Sequence, residues 1–328
     1  MSTNEWKKAL KESFYSPLEL LNFLEINNDI AKVSFKSVNH FKMIVSKSFA
    51  NRMEKGNIND PLLKQVLPTV DEEVIDRNYS SDPLDEKKYN KIPGLLHKYY
   101  GRVLLIAHTS CAIHCRYCFR KEFDYEDNIP GRKDWLKVLN YIRSDKSIEE
   151  VILSGGDPLL NNDDVLEFFL NEIKGISHIK RVRIHSRIPI VLPERITETL
   201  LDIFSRYELD IVLVVHANHP NEINGDITNV LKDINKTGVV VLNQSTMLKG
   251  VNDDPNILYA LSTKLISARV IPYYIHLLDP VSGTKHFDID NAKDIMKKLS
   301  EISSGYMVPI LTKENPGYPS KKWISFHS

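Results

Sequence analysis

Thr109-Ser-Cys-Ala-Ile-His-Cys-Arg-Tyr-Cys-Phe-Arg120 holds every cysteine of the 328-residue chain: Cys111, Cys115 and Cys118, spaced C-x3-C-x2-C. Cysteines that merely fill small apolar gaps scatter along a sequence. Three in one loop, and none elsewhere, point to a shared ligand. Thiolates are the usual protein ligands of iron–sulfur clusters, and a four-iron cube normally takes four of them. Three thiolates leave one iron open to a small chelating molecule. S-adenosylmethionine, through its amino and carboxylate groups, is the occupant in one large class of enzymes. Two other readings use the same residues. Structural zinc would take Cys111, His114, Cys115 and Cys118, but such sites usually join two separated knuckles and only one is present. A catalytic thiol would need just one or two of the three.

Outward from this loop the pattern is a repeat. Short runs rich in Val and Ile predict strands at 103–107, 151–153, 181–184, 211–215, 239–242 and 270–275. Helical spacing fills the gaps at 133–144, 163–173, 194–206, 226–236, 254–267 and 290–302. Alternating strands and helices imply a parallel sheet with covering helices. Six units suit a barrel or partial barrel, whose active-site face lies at the C-terminal strand ends. Each predicted strand here ends in polar residues: the cysteine loop, Ser154-Gly-Gly-Asp157, His185-Ser-Arg187, His216, Asn243-Gln244, and 276–279 with His276 and Asp279. Residues 1–97 are less regular. Helix-like apolar spacing covers 6–24 and 64–75, followed by a polar, turn-rich stretch at 77–94. The expectation is a helical N-terminal segment and linker over 1–97, packed on a barrel over 98–328.

Lys+Arg and Asp+Glu both number 43, so no global charge argues for a nucleic-acid or membrane surface. No apolar run approaches the roughly 18 residues of a membrane span, and the N-terminus lacks the apolar stretch of a signal peptide. A reducing cytoplasm is the expected compartment, because thiolates persist there and an odd cysteine count suits ligands better than bridges.

The cysteine motif resembles the radical S-adenosylmethionine signature. Cys115-Arg-Tyr-Cys-Phe-Arg-Lys121, Ser154-Gly-Gly-Asp-Pro158 and His185-Ser-Arg-Ile-Pro189 resemble the lysine 2,3-aminomutase family within it. Asn51-Arg-Met-Glu-Lys-Gly56 and Pro93-Gly-Leu-Leu-His-Lys98 are most similar to the family's short bacterial branch, which serves β-lysylation of elongation factor P. The resemblance runs from about residue 50 to the C-terminus. It implies a partial (β/α)6 barrel, a [4Fe–4S] cluster, S-adenosylmethionine and pyridoxal 5'-phosphate. The reaction implied converts L-α-lysine to β-lysine by radical amino migration, with an electron donor, and with elongation factor P and its lysyl-transferring ligase downstream.

Residue by residue, the resemblance assigns Cys111, Cys115 and Cys118 to the cluster. Ser154, Gly155, Gly156 and Asp157, with His216 and Gln244, fall to S-adenosylmethionine. Lys98 and Arg102 fall to the pyridoxal phosphate group, with Lys98 standing where the commoner family form has Arg. Lys loses the two-pronged fork that Arg offers a phosphate. Lys321 is in register with the lysine that carries pyridoxal phosphate. The family's glycine run before it is largely replaced by Asn315-Pro-Gly-Tyr-Pro-Ser320, which leaves neighbouring Lys322 as a rival. Arg120 matches the position holding the substrate carboxylate, and Asp279 and Glu314 match those holding the side-chain ammonium. Taken without the resemblance, each is also explicable as a turn residue, a cap or a surface charge. The long catabolic members carry extra C-terminal cysteines for zinc, which this sequence lacks, so zinc is not expected. Family members acting in lysine catabolism or on another amino acid, and a zinc-binding adaptor without enzyme activity, are the alternatives.

Overall fold

The computed structural model describes residues 3–123 and 132–326. One sheet of ten strands runs in sequence order: β1 (Asn90–Ile92), β2 (Leu95–Tyr99), β3 (Arg102–His108), β4 (Glu150–Gly155), β5 (Arg181–Ser186), β6 (Asp210–Val215), β7 (Val240–Thr246), β8 (Ile271–His276), β9 (Ile310–Lys313) and β10 (Lys322–Trp323). From β3 to β9 neighbouring strands are parallel. Antiparallel hairpin partners flank this run, β1–β2 on one side and β10 on the other. The helices Arg132–Ser144, Asp163–Lys174, Glu198–Arg206, Gly225–Lys236, Pro255–Ser267 and Ala292–Ile302 follow β3 to β8 in turn. This is the partial barrel that the six-unit repeat predicts. Strands β1, β2, β9 and β10 were not expected; at two to five residues each they are too short for a period to register.

The parallel strands form where the sequence can be buried on both sides. In β5 the alternation is clear: Val182 and Ile184 are buried against the helices, while Arg183 and His185 face the other way, into the barrel. Ladder partners share a face. Ile106 pairs with Ser154, His185 with Val214, Val214 with Leu242, and two residues further on Gln244 pairs with Tyr274. The register therefore lines Ser154, His185, Gln244 and Tyr274 along the barrel interior.

The N-terminal segment differs from its expectation in detail. The spacing over 6–24 becomes two helices, Thr3–Lys11 and Pro17–Phe23, because Pro17 starts a new helix rather than continuing one. The stretch 64–75 is not one continuous α-helix; it holds only a short 3-10 helix, Val70–Glu73. Asp60 caps a single turn at Pro61–Lys64 by accepting from the Leu62 and Leu63 amides at 2.8 Å, and Pro68 then turns the residue before it away from helix. The apolar residues still do their work: Leu20, Leu24, Phe49, Leu63 and Val66 join the same buried cluster as Val103, Leu153 and Leu213 of the sheet. A boundary at 97/98 falls inside β2. Among the described residues no helix is long and apolar enough to cross a membrane.

Candidate active site

The cysteine loop leaves the end of β3 and is held in place from two sides. On one side lies the glycine pair after β4. The Gly156 amide donates to the His108 carbonyl at 2.7 Å and the Asp157 amide to that of Ser110 at 2.8 Å. A Cβ on Gly155, which has φ +112°, would stand 2.4 Å from the His108 oxygen, and one on Gly156 2.4 Å from the Ser110 oxygen. The two glycines are thus required by close backbone approach. On the other side the N-terminal segment grips the loop. His114 N–H donates to Ile44 and Arg116 N–H to Gln65, both at 2.9 Å. The Arg116 side chain, 1% exposed, pairs with Glu72 through Nε (2.8 Å) and Nη2 (2.6 Å) and donates to the Phe41 carbonyl at 2.7 Å.

The three thiols share one electrostatic environment. Burial pushes the Cys111 thiol well up, and Asp157, then the neighbouring Cys118 and Cys115, add to this; burial and Cys115 raise Cys118 to about 11. Cationic groups oppose the rise, Arg187 at Cys111 and Arg120 and Lys121 at Cys118. His114 bonds from Nδ1 to the Lys42 carbonyl at 2.7 Å and stacks on Phe41. Among the described residues no three His, Cys, Asp or Glu side chains converge on a single-ion site.

Behind the loop lies a buried polar network that the sequence did not reveal. Arg187 Nη1 donates to Cys115 Sγ at 2.7 Å and to the Tyr117 hydroxyl at 2.9 Å. Its Nη2 donates to Gln65 at 2.7 Å and to Glu222 at 2.9 Å, and Glu222 is fully buried. Asn218 donates to the Tyr117 hydroxyl at 2.7 Å. The same hydroxyl meets His216 Nε2 at 2.8 Å, and His216 also bonds to the Gln244 backbone. Burial holds His216 neutral, down at about 3. Asp157 is fully engaged with protein donors: Ser186 Oγ and the Arg187 amide at 2.7 Å, and the Leu159 and Ile188 amides. Burial still raises it to about 6. Asp157 fixes the loop after β5, and so the direction in which Arg187 enters.

The barrel interior collects the remaining candidates. Lys321 points inward, 3.3 Å from His276 Nε2 and 4.0 Å from Glu314, with its ammonium over the Tyr274 ring. Lys322, next along, is exposed in β10. Burial lowers Lys321 to about 8, against the pull of Glu314 and Asp279; Arg183 and Arg102 push the same way as burial. Glu314 pairs with Lys98 at 2.7 Å, which joins a position expected for the substrate ammonium to one expected for phosphate. Asp279 is raised to about 7, first by burial and then by Glu314; Glu86 adds to the rise, and Lys321 and Lys98 oppose it. Arg120 donates through Nε and Nη2 to Glu86, both at 2.7 Å, and through Nη1 to Ser154 Oγ at 3.3 Å. Arg102, over the Tyr99 ring, stands at the opposite end of β3 from the cysteines and lines a cavity of about 350 Å³ with Lys146, Glu150 and Arg181.

The interior thus combines an amine near its pKa, three carboxylates and several cations beside a thiol triad. Such a set can hold a zwitterionic substrate at both ends and carry a carbonyl cofactor on the amine. Glu86, Arg183 and Glu222 escaped the sequence reading. Arg187 and His276 stand among the strand-end residues expected on the active-site face, but nothing in the sequence named their partners.

A parallel partial barrel with three cysteines after its first parallel strand defines a radical S-adenosylmethionine protein, and residues 105–258 match the Radical SAM superfamily. The chain is 44% identical to the L-lysine 2,3-aminomutase of Escherichia coli K12, over 98% of this chain and 94% of that one. It is 42% identical to the enzyme of that name from Haemophilus influenzae (96% and 94%) and 34% identical to that of Clostridium subterminale (96% and 76%). The chain belongs to the lysine 2,3-aminomutase family. Membership of the superfamily implies a [4Fe–4S] cluster and S-adenosylmethionine.

Proposed function

We propose that this protein is an L-lysine 2,3-aminomutase that converts L-α-lysine to β-lysine with the help of pyridoxal 5'-phosphate. The observation that carries the reading is the meeting of Lys321, Asp279, Glu314 and Arg120 in one barrel beside the cysteine loop. The relatives of that name, 42–44% identical over nearly their whole length, support it.

The residues fit the groups this chemistry needs. Cys111, Cys115 and Cys118 would hold the cluster, and the Gly155-Gly156 backbone, Ser154, His216 and Gln244 would border S-adenosylmethionine. Together these two supply a hydrogen-abstracting radical when bound. Lys321, already lowered to about 8, would carry pyridoxal phosphate, which would supply a carbonyl for the substrate amine. Lys98 and Arg102 would face its phosphate, and Tyr274 lies against the amine that carries it. Arg120 orients the substrate carboxylate. Asp279 and Glu314 hold the side-chain ammonium and favour lysine over an acidic amino acid. His276 and Tyr274 wall the amine from water.

The test is direct. Reduced protein given lysine, S-adenosylmethionine and pyridoxal phosphate should yield β-lysine; absence of that product under full cluster loading overturns the proposal. We further propose that the β-lysine serves elongation factor P through its lysyl-transferring ligase, in keeping with the higher identity to the Escherichia coli relative than to the clostridial one. Intact-mass measurement of elongation factor P from a deletion strain should find the β-lysyl group missing, and normal modification would reject that role.

A further inference from the structure

The linker between the N-terminal helices and the sheet delivers one side chain into the barrel. Its backbone is built for this. Leu84 anchors it, only 3% exposed, and Asp85 turns left-handed at φ +53°. The Glu86 amide then donates to Asp82 Oδ1 at 2.9 Å, and a 3-10 turn, Glu86–Tyr89, leads into β1. The side chain so placed is Glu86, 12% exposed, which meets Arg120 edge to edge with two bonds of 2.7 Å. A guanidinium is planar, and a carboxylate gripping its Nε–Nη2 edge fixes both the plane and the direction of its outer nitrogens. Ser154 Oγ, at 3.3 Å from Nη1, marks where that outer end points: to the end of β4, beside the glycine pair. Glu86 also adds to the negative field at Asp279. One residue therefore touches the cation proposed for the substrate carboxylate and adds its charge to the field at an acid proposed for its ammonium.

We propose that Glu86 is a positioning residue that aims Arg120 at the substrate carboxylate, and so sets where the lysine backbone sits relative to its ammonium pocket. This rests on the reading of Arg120 given above. The alternative for the same geometry is a placeholder that competes with substrate for Arg120, and it predicts the opposite sign.

The experiment uses the reconstituted holoenzyme. Glu86→Gln keeps the size and removes the charge. The expected result is a KM for lysine about tenfold higher with kcat within about twofold, as for other residues that orient a ligand-binding group. Cluster absorbance and the borohydride-trapped pyridoxal phosphate adduct should match the parent. Inhibition by 1,5-diaminopentane, which has both amines and no carboxylate, should be within about twofold of the parent at pH 8.5, where Asp279 is ionised in both proteins; a merely structural defect would weaken it more. Arg120→Lys in the same assay tests the underlying reading. If Arg120→Lys weakens lysine binding and Glu86→Gln does not, the role of Glu86 alone is overturned. A lower KM in Glu86→Gln makes the residue a competitor and also overturns it. If Arg120→Lys leaves KM unchanged, the carboxylate lies on another cation and both readings fall.

Discussion

Asp279 stands in the barrel as a carboxyl half protonated near neutrality, because burial and the Glu314 charge hold its pKa at about 7. The substrate ammonium proposed to meet it needs the ionised form. As pH falls through 7 the counter-charge is lost, so KM for lysine should rise by up to about tenfold per pH unit below that point. Asp279→Asn should flatten this dependence and, at pH 8, lower kcat/KM by about 30- to 150-fold. A variant with the parent pH profile would leave Glu314 as the sole acid. The sign reverses for stability of the ligand-free protein. The folded state binds Asp279's proton more tightly than the unfolded chain, so stability falls as pH rises from about 4 to 7. Asp279→Asn should remove that fall, and denaturant unfolding at pH 4.5 and 7.5 measures it. Lys321 offers a second test. It is half-buried, with its amine lowered to about 8 by desolvation, while Lys322 is exposed, so Lys321→Ala should abolish the borohydride-trapped pyridoxal phosphate adduct and Lys322→Ala should retain it. An adduct mapped to Lys322 would refute the assignment.

The cysteine loop is an element without regular structure of its own, shaped by what presses on it. Gly156→Ala places a methyl 2.4 Å from the Ser110 oxygen, so the loop must shift. The expected outcome is faster iron loss to a chelator, with the helical circular dichroism intact. Glu72→Gln strips the buried partner of Arg116. Breaking such a pair costs about 3–5 kcal/mol, which urea unfolding should register together with faster iron loss. The motif itself was fully legible, since thiolate spacing is local. So were the six βα units, because a strand buried on both faces writes a continuous apolar run, as 211–215 does. The grip on the loop was not legible. Glu72 lies 44 positions from Arg116, in a stretch whose apolar spacing resembled a helix until Pro68 broke it. Glu86 was hidden for a similar reason: a polar, turn-rich linker reads as solvent-facing unless its partner across the fold is known. Lys321 and Lys322 could not be told apart by spacing; their difference in exposure, Lys321 half-buried beside His276 and Lys322 exposed in β10, belongs to the fold and not to the local sequence.

At the scale of the molecule, the sheet never closes on itself. Its first and last strands belong to antiparallel hairpins, 90–99 and 310–323, and among the described residues an ion pair and a short backbone bridge, not a strand ladder, join the two sides. Lys98 of β2 meets Glu314, just past β9, at 2.7 Å. Nearby, Ser80 bonds along 280–282 and Tyr79 reaches Asp288 at 2.9 Å. A double-mutant cycle on Lys98→Met and Glu314→Gln should give a coupling of about 1–3 kcal/mol in unfolding free energy, since the pair is largely shielded from water. The same seam has a consequence for occupancy. Lys98 serves both as a clasp between the sheet edges and as a cation proposed for the cofactor phosphate, and a single ammonium satisfies two anions less well than one. Filling the barrel and fastening its seam are then reciprocal: whatever free energy an arriving phosphate takes from the clasp, a tighter clasp withholds from the phosphate.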